Sequence, residues 1–422
     1  MQFARATLWN LAGLGTPVLL AVLSVPVLIH NLGQERYGLL GLLWTLLGTA
    51  GLFDLGLGRA LTVSVSAMLA SPSTEKVQVR IKSGMLMLAL VGMFFATLVA
   101  LLSGYMASYI KRQSVTLEEL HMAVMVAAPA ILLVVINSGT SSSIDAFRRF
   151  DYSNMVRILV AAGTIGGAVL ASYWTSSLVW LALVLVVARM LSLSTGLLLL
   201  RRLMAVHPAG RGITRADLFE FVHFGRWITA GNLLNPMLAF GDRLLLPIIV
   251  SSGLLAYYLV PYDIVTKVLV LSSAVVSALF PLLSATSNPE TLAGLLRKGV
   301  RTILIFLLPA LLLLVMLAHF GLAIWISPGF ADHGYRIAQI LCIGALFNGV
   351  ATLPFTFLQS QDMARRIVFV QLFEIPVYLI ALYLLGSTYG PLGVAIAWSG
   401  RMVMDSIMLW ILTSMKLKTL QQ

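Results

Sequence analysis

The chain has 422 residues, 59% of them hydrophobic and 10% charged, with a mean hydropathy of +0.96. That composition lies outside the range of soluble globular domains and marks an integral membrane protein. The net charge of +12 does not signal a nucleic-acid partner, because the basic residues are distributed over connections between apolar runs, and the single cysteine, Cys342, excludes an intrachain disulfide.

Twelve apolar runs are long enough to cross a bilayer, which takes ~20 residues. They fall at residues 8–30, 39–60, 84–109, 122–143, 155–173 and 178–200, then at 226–250, 254–284, 302–326, 337–359, 367–385 and 391–415. The first follows Arg5 as a signal peptide would, but it is too long and lacks a small-x-small cleavage site, so it reads as a retained helix. Alternate connections hold 20 of the 28 basic residues, against only Arg36, Lys111, Arg112 and Arg336 on the opposite side. The positive-inside rule then puts both termini in the cytoplasm.

The polar segment 201–221 divides the chain into an N-terminal six-helix bundle (1–200) and a C-terminal one (222–422). Within it, Thr214-Arg-Ala-Asp217 has the form of a helix N-cap and opens a short surface helix. The halves repeat sparsely: at an offset of 221, Arg5, Pro26 and Tyr37 fall on Arg226, Pro247 and Tyr258, and at 212 Arg189 falls on Arg401. Two six-helix repeats enter the membrane in the same direction, related by an axis along its normal. The expected fold is therefore all-α, with about twelve transmembrane helices in two pseudo-symmetric bundles around a central cavity.

Away from the run ends, nine Asp, Glu, Lys and Arg residues lie inside these runs: Asp54, Arg189, Asp242, Arg243, Asp263, Lys267, Glu374, Arg401 and Asp405. Charges inside a bilayer are costly and mark pairs or pathways. Asp263 and Lys267, like Arg401 and Asp405, are spaced i, i+4 and can meet on one helix face. Asp242 and Arg243 lie at a depth where they can join Asp263 and Lys267, either as a salt-bridge network holding helices together or as part of a pathway. Arg59, in Phe53-Asp-Leu-Gly-Leu-Gly-Arg-Ala60, sits where it either receives an anion from the cytoplasm or snorkels to the headgroups. Arg189 and Arg401 are deep, and the planar fork of arginine suits phosphate. Glu374 reads as a partner for a nearby arginine or as a carrier of a coupled proton or Na⁺. His319 reads as an interface residue and Cys342 as a small core residue. No phosphate-binding loop, His/Cys metal cluster or Ser/His/Asp set is present, so no cofactor or metal is expected.

Three stretches carry a family resemblance: Leu32-Gly-Gln-Glu-Arg-Tyr-Gly38 with Phe53-Asp-Leu-Gly-Leu-Gly58; Asp242-Arg243-Leu-Leu-Leu with Tyr257-Tyr258 and Pro281-Leu-Leu-Ser284; and Gly390-Pro-Leu-Gly-Val-Ala-Ile-Ala397. With them the chain resembles, over essentially its whole length, the polysaccharide-export and O-antigen flippase branch of the multidrug/oligosaccharidyl-lipid/polysaccharide exporter superfamily. The resemblance implies a bacterial inner-membrane transporter that moves polyprenyl-pyrophosphate-linked oligosaccharides to the outer leaflet by alternating access. Arg59, Arg243 and Lys267 become the preferred headgroup contacts, with Arg189 and Arg401 as deeper ones. Asp54, Asp242, Asp263, Glu374 and Asp405 are the ion-coupling or charge-pairing acids. The implied partners are the lipid-linked oligosaccharide, membrane lipids, a coupled proton or Na⁺, and polysaccharide polymerase or assembly proteins. A multidrug or organic-cation exporter of the same fold is the alternative. A polymerase or ligase enzyme is disfavoured because no extended loop carries chemistry.

Overall fold

The computed structural model describes residues 2–51, 53–70, 76–208, 214, 234–286, 288–361 and 363–421. Among them the chain is helical throughout and forms no strand, as lipid requires of a spanning chain that does not close into a barrel. By compactness it divides into two units, Met1–Pro236 and Met237–Gln422.

In the first unit the helices are α1 (Gln2–Ala50), α2 (Leu57–Ala70), α3 (Val77–Tyr109), α4 (Leu117–Ala146), α5 (Phe150–Ala161), α6 (Gly167–Ser172) and α7 (Leu178–Met204). A π turn, Ala162–Gly166, joins α5 to α6 as one span. The second unit has α8 (Leu234–Ile249), α9 (Leu255–Lys267), α10 (Val270–Ala285), α11 (Pro289–Trp325), α12 (Pro328–Ser360), α13 (Ala364–Tyr389) and α14 (Pro391–Gln421).

Ten helical stretches are long and apolar enough to cross a membrane. They account for the twelve expected runs, because α1 covers the first run and most of the second, and α8 is the described part of the seventh. Non-helical Gly33 (φ 77°) separates the two parts of α1. The surface helix expected after Thr214 and the start of the seventh run at Arg226 lie outside the described residues.

Local sequence sets the starts. Thr116 caps α4 by accepting from Glu119 N, Asn288 caps α11 by accepting from Glu290 N and Thr291 N, and Ser327 caps α12 by accepting from Phe330 N, with Pro at the first position of α11 and α12. The Glu35-Arg36 pair anchors the start of α1's second stretch. Glu35 accepts from Gln113 N (2.7 Å), Ser114 N (2.8 Å) and the Ser114 hydroxyl, and Arg36 forks onto both Glu119 oxygens.

Each unit is organised around one helix. The central stretches of α4 and α12 are 50% and 56% buried, more than any other span. α4 packs on α2, α3 and α7, whereas α12 packs on α9, α10, α11 and α14. Both are the fourth expected run of their half, so the hub falls at the same ordinal place in each. Gly84 and Gly139 in the first unit and Gly344 and Gly349 in the second sit against neighbouring helices too closely for a Cβ, the small-residue packing that drives association in lipid. Cys342 is buried within α12.

Candidate functional site

The first unit holds its acid and its deep arginine in contrasting settings. After α1 the chain turns through Leu55 (φ 53°) and Gly56 (φ 77°), which breaks the expected second run. Asp54 organises the turn: Oδ1 accepts from Gly56 N (2.8 Å) and Oδ2 from the Ser138 hydroxyl on α4 (2.5 Å). Gly58 is required because a Cβ there would lie 2.8 Å from both Asp54 Oδ2 and Ser138 Oγ. Asp54 is thus bound into the turn, while Arg59, in the first turn of α2, is exposed and pairs with nothing among the described residues.

Arg189 lies midway along α7, roughly 16 Å from its first residue at 1.5 Å per residue. It shares a face with Leu185, Ser192, Leu193 and Gly196, all buried, at i−4, i+3, i+4 and i+7, so it points into the unit. Its Nε is buried without a hydrogen bond, and no ion pair to it forms among the described residues. Further along that face Asn137 of α4 places its amide oxygen beside Gly196, also buried and unbonded.

The second unit gathers its charges into a network. Asp242 of α8 is wholly buried and accepts from the Tyr258 hydroxyl of α9 at 2.5 Å, while its other oxygen has no hydrogen bond. Arg243 stacks over Tyr262 at 4.1 Å and approaches Asp263 at 3.9 Å. On the other side Arg401 of α14 meets the wholly buried Glu374 of α13 at 3.5 Å and lies over Tyr378, with Asp405 near both. Arg401 is also within electrostatic range of Asp242. Tyr262 packs edge-on against Trp398 at 5.4 Å, so rings fill the space between the two charge groups.

The structure brings Asp242, Arg243 and Asp263 together and places Glu374 beside Arg401. It leaves the Asp263–Lys267 pair open beyond ion-pair distance: Asp263 turns to Arg243 and only attracts Lys267, which is exposed at the end of α9, where residues 268 and 269 form a tight turn within the eighth span. His319 pairs with Asp332 at 3.0 Å across exposed ends of α11 and α12, a contact between helices. Sequence reasoning missed Tyr262, Tyr378 and Trp398 and the hydroxyl role of Tyr258. Tyr258 and Tyr262, and Glu374 and Tyr378, are each spaced i, i+4, a signal that ring-and-charge faces were there to be read. Among the described residues no group of three His, Cys, Asp or Glu could hold a metal.

The model of the family described as polysaccharide biosynthesis protein matches residues 3–287. The chain belongs to that family. A Shigella flexneri protein named "Putative O-antigen transporter" is 26% identical over 419 residues, covering 98% of this chain and 99% of that protein. Among solved structures, an inward-facing multidrug resistance MATE family transporter of the MOP superfamily superposes with a TM-score of 0.80, at 13% identity and 99% and 95% coverage of the two chains. The lipid II flippase MurJ in an inward closed conformation gives 0.76, at 13% identity and 97% and 87% coverage. At that identity the two structures establish the fold alone, a bundle of membrane-spanning helices.

Proposed function

We propose that this protein is a flippase that carries a polyprenyl-pyrophosphate-linked oligosaccharide, an O-antigen or exopolysaccharide repeat unit, from the cytoplasmic to the outer leaflet of the bacterial inner membrane by alternating access. The observation that carries the reading is Arg189, an inward-pointing arginine deep in a span with no counter-charge among the described residues. An uncompensated cation in hydrocarbon is stabilised by an arriving anion, and guanidinium binds phosphate oxygens in pairs. The full-length relation to a protein named as an O-antigen transporter supports the same cargo.

Arg59, exposed and without a partner among the described residues, and Lys267, exposed and attracted to Asp263 without closing an ion pair, are the outlying cations of the proposed path, and Arg243 and Arg401 its paired ones. The buried carboxyls Asp242 and Glu374 are where a coupled proton or Na⁺ would act. The termini are taken as cytoplasmic, which places Arg59 at the leaflet where the lipid-linked unit is made. Polymerase or assembly proteins would receive the product on the other side.

A strain lacking the protein is expected to accumulate undecaprenyl-pyrophosphate glycans on the cytoplasmic leaflet, and Arg59→Ala, Lys267→Ala and Arg189→Met variants that insert normally are expected to rescue poorly. Normal surface glycan in a deletion strain with no redundant flippase sinks the proposal. One observation favours the alternative, an organic-cation exporter: the spans of the second unit carry four carboxyls, Asp242, Asp263, Glu374 and Asp405, against three cations, Arg243, Lys267 and Arg401, and its two wholly buried ionisable side chains, Asp242 and Glu374, are both acids. Loss of organic-cation efflux with intact surface glycan in the same deletion would select it.

A further inference from the structure

A groove on the second unit is not used by the pathway just described. On α11, Arg297, Arg301, Leu304, Ile305 and Leu308 follow one another at i, i+4, i+7, i+8 and i+11, a single stripe beside a hollow of about 640 Å³. Leu304 also lines an adjoining hollow of about 560 Å³. Its floor is Leu346, Phe347 and Val350 of α12, and its far wall is Ile407, Trp410 and Ile411 of α14. α12 packs against both α11 and α14, which scarcely touch each other, so the groove runs in single file over one helix between two others.

Its two ends differ in charge. Arg297 and Arg301 stand one turn apart at the mouth, exposed, and neither has an ion pair or hydrogen bond among the described residues. The rest of the lining is apolar apart from the hydroxyls of Ser406 and Ser414, and no carboxylate lines either hollow. A basic pair at the head of an apolar trough complements one long hydrocarbon chain with a multiply charged anionic head. A phospholipid head with a single negative charge satisfies that basic pair less fully than a pyrophosphate does.

We propose that this groove is a loading site for the lipid-linked substrate, with the polyprenyl chain in the trough and the phosphates on Arg297 and Arg301. The inference rests on the flippase reading and adds where the carrier lipid docks before translocation.

The test uses full-length protein in detergent, with undecaprenyl pyrophosphate as probe and dioleoylphosphatidylglycerol as competitor, and native mass spectrometry reporting the retained lipid. Wild-type protein is expected to keep the polyprenyl lipid against equimolar competitor. An Arg297→Ala/Arg301→Ala variant, and separately Ile407→Trp, which fills the trough at an exposed position, should each retain about tenfold less without a change in melting temperature. Equal retention of phosphatidylglycerol, or wild-type binding by both variants, overturns the site. In cells the two readings separate. Full rescue of the deletion strain by the double arginine variant removes the loading site alone, whereas normal glycan in the deletion strain removes the flippase reading and the loading site with it.

Discussion

Arg189 is the twelfth residue of α7 and Arg401 the eleventh of α14, each in the last long helix of its half and 212 residues apart. Their surroundings differ in kind. Arg401 meets Glu374 at 3.5 Å, lies over Tyr378 and has Asp405 one turn along its own helix. At the same offset Asp405 falls on Leu193, so the first half keeps the arginine and has an apolar side chain where the second has an acid. One guanidinium is a member of a network and the other has no counter-charge among the described residues. Two arginines at matching places in the two halves can thus differ in setting, which depth and residue type alone do not reveal.

The largest effect should come from breaking that contrast at Arg401. Arg401→Met leaves Glu374 and Asp405, two carboxyls inside a span, without their guanidinium, and removing one partner of a buried pair costs about 3–5 kcal/mol. Arg189→Met removes a charge that has no partner to strand, so its melting temperature should equal or exceed that of wild type while transport falls. Thermal unfolding of the two purified variants, with glycan rescue alongside, decides the point. A destabilised Arg189→Met would mean that its counter-charge exists after all.

A middle-sized effect concerns the two acids rather than the two arginines. Asp54 is satisfied by a backbone amide and a hydroxyl, whereas Asp242 has a single tyrosine donor and one unbonded oxygen. If Asp54 serves the turn, Gly58→Ala should cost about 1–3 kcal/mol, since the added methyl would press on Asp54 Oδ2 and Ser138 Oγ. Adding Ser142→Ala should return part of that loss, because it removes a crowding hydroxyl at 2.9 Å and leaves the Ser138 bond to Asp54 in place. Melting temperatures of the single and double variants measure both steps, and an unshifted Gly58→Ala would show the turn to be looser than its geometry.

The spans and the all-helical fold were legible because hydrocarbon forces an apolar run of fixed length for every crossing. The turns inside them were less so: glycines stand at the turn through Leu55 and Gly56, but nothing in the run from Leu254 to Ser284 marks the tight turn at residues 268 and 269. Helical spacing correctly gave residues that share a face, as for Arg401 and Asp405, yet could not rank intrahelical partners against those on other helices. Asp263 therefore went to Arg243 on α8 rather than to Lys267 on its own helix. The tyrosines were missed because an amphipathic ring in a membrane helix looks apolar until its hydroxyl finds an acid, as Tyr258 finds Asp242.

The smallest stability effect is expected at Arg59 and Lys267. Both side chains are exposed and neither closes an ion pair or hydrogen bond among the described residues, Lys267 keeping only its attraction to Asp263, so replacing either by alanine should move stability by no more than about 0.5 kcal/mol. The proposed path nevertheless needs their charge, and substitutions that cost nothing in folding but impair rescue mark residues held for binding. Arg59→Lys and Lys267→Arg sharpen the test. A point charge and a planar fork attract phosphate equally at long range but differ in bidentate contact, so a site that only steers should accept both exchanges, whereas one that grips should lose function with Arg59→Lys. Rescue measured across the alanine and exchanged variants at equal membrane levels separates the two. Full activity in both alanine variants would return Arg59 and Lys267 to the headgroup boundary and leave Arg189 as the cation on which the transport reading stands.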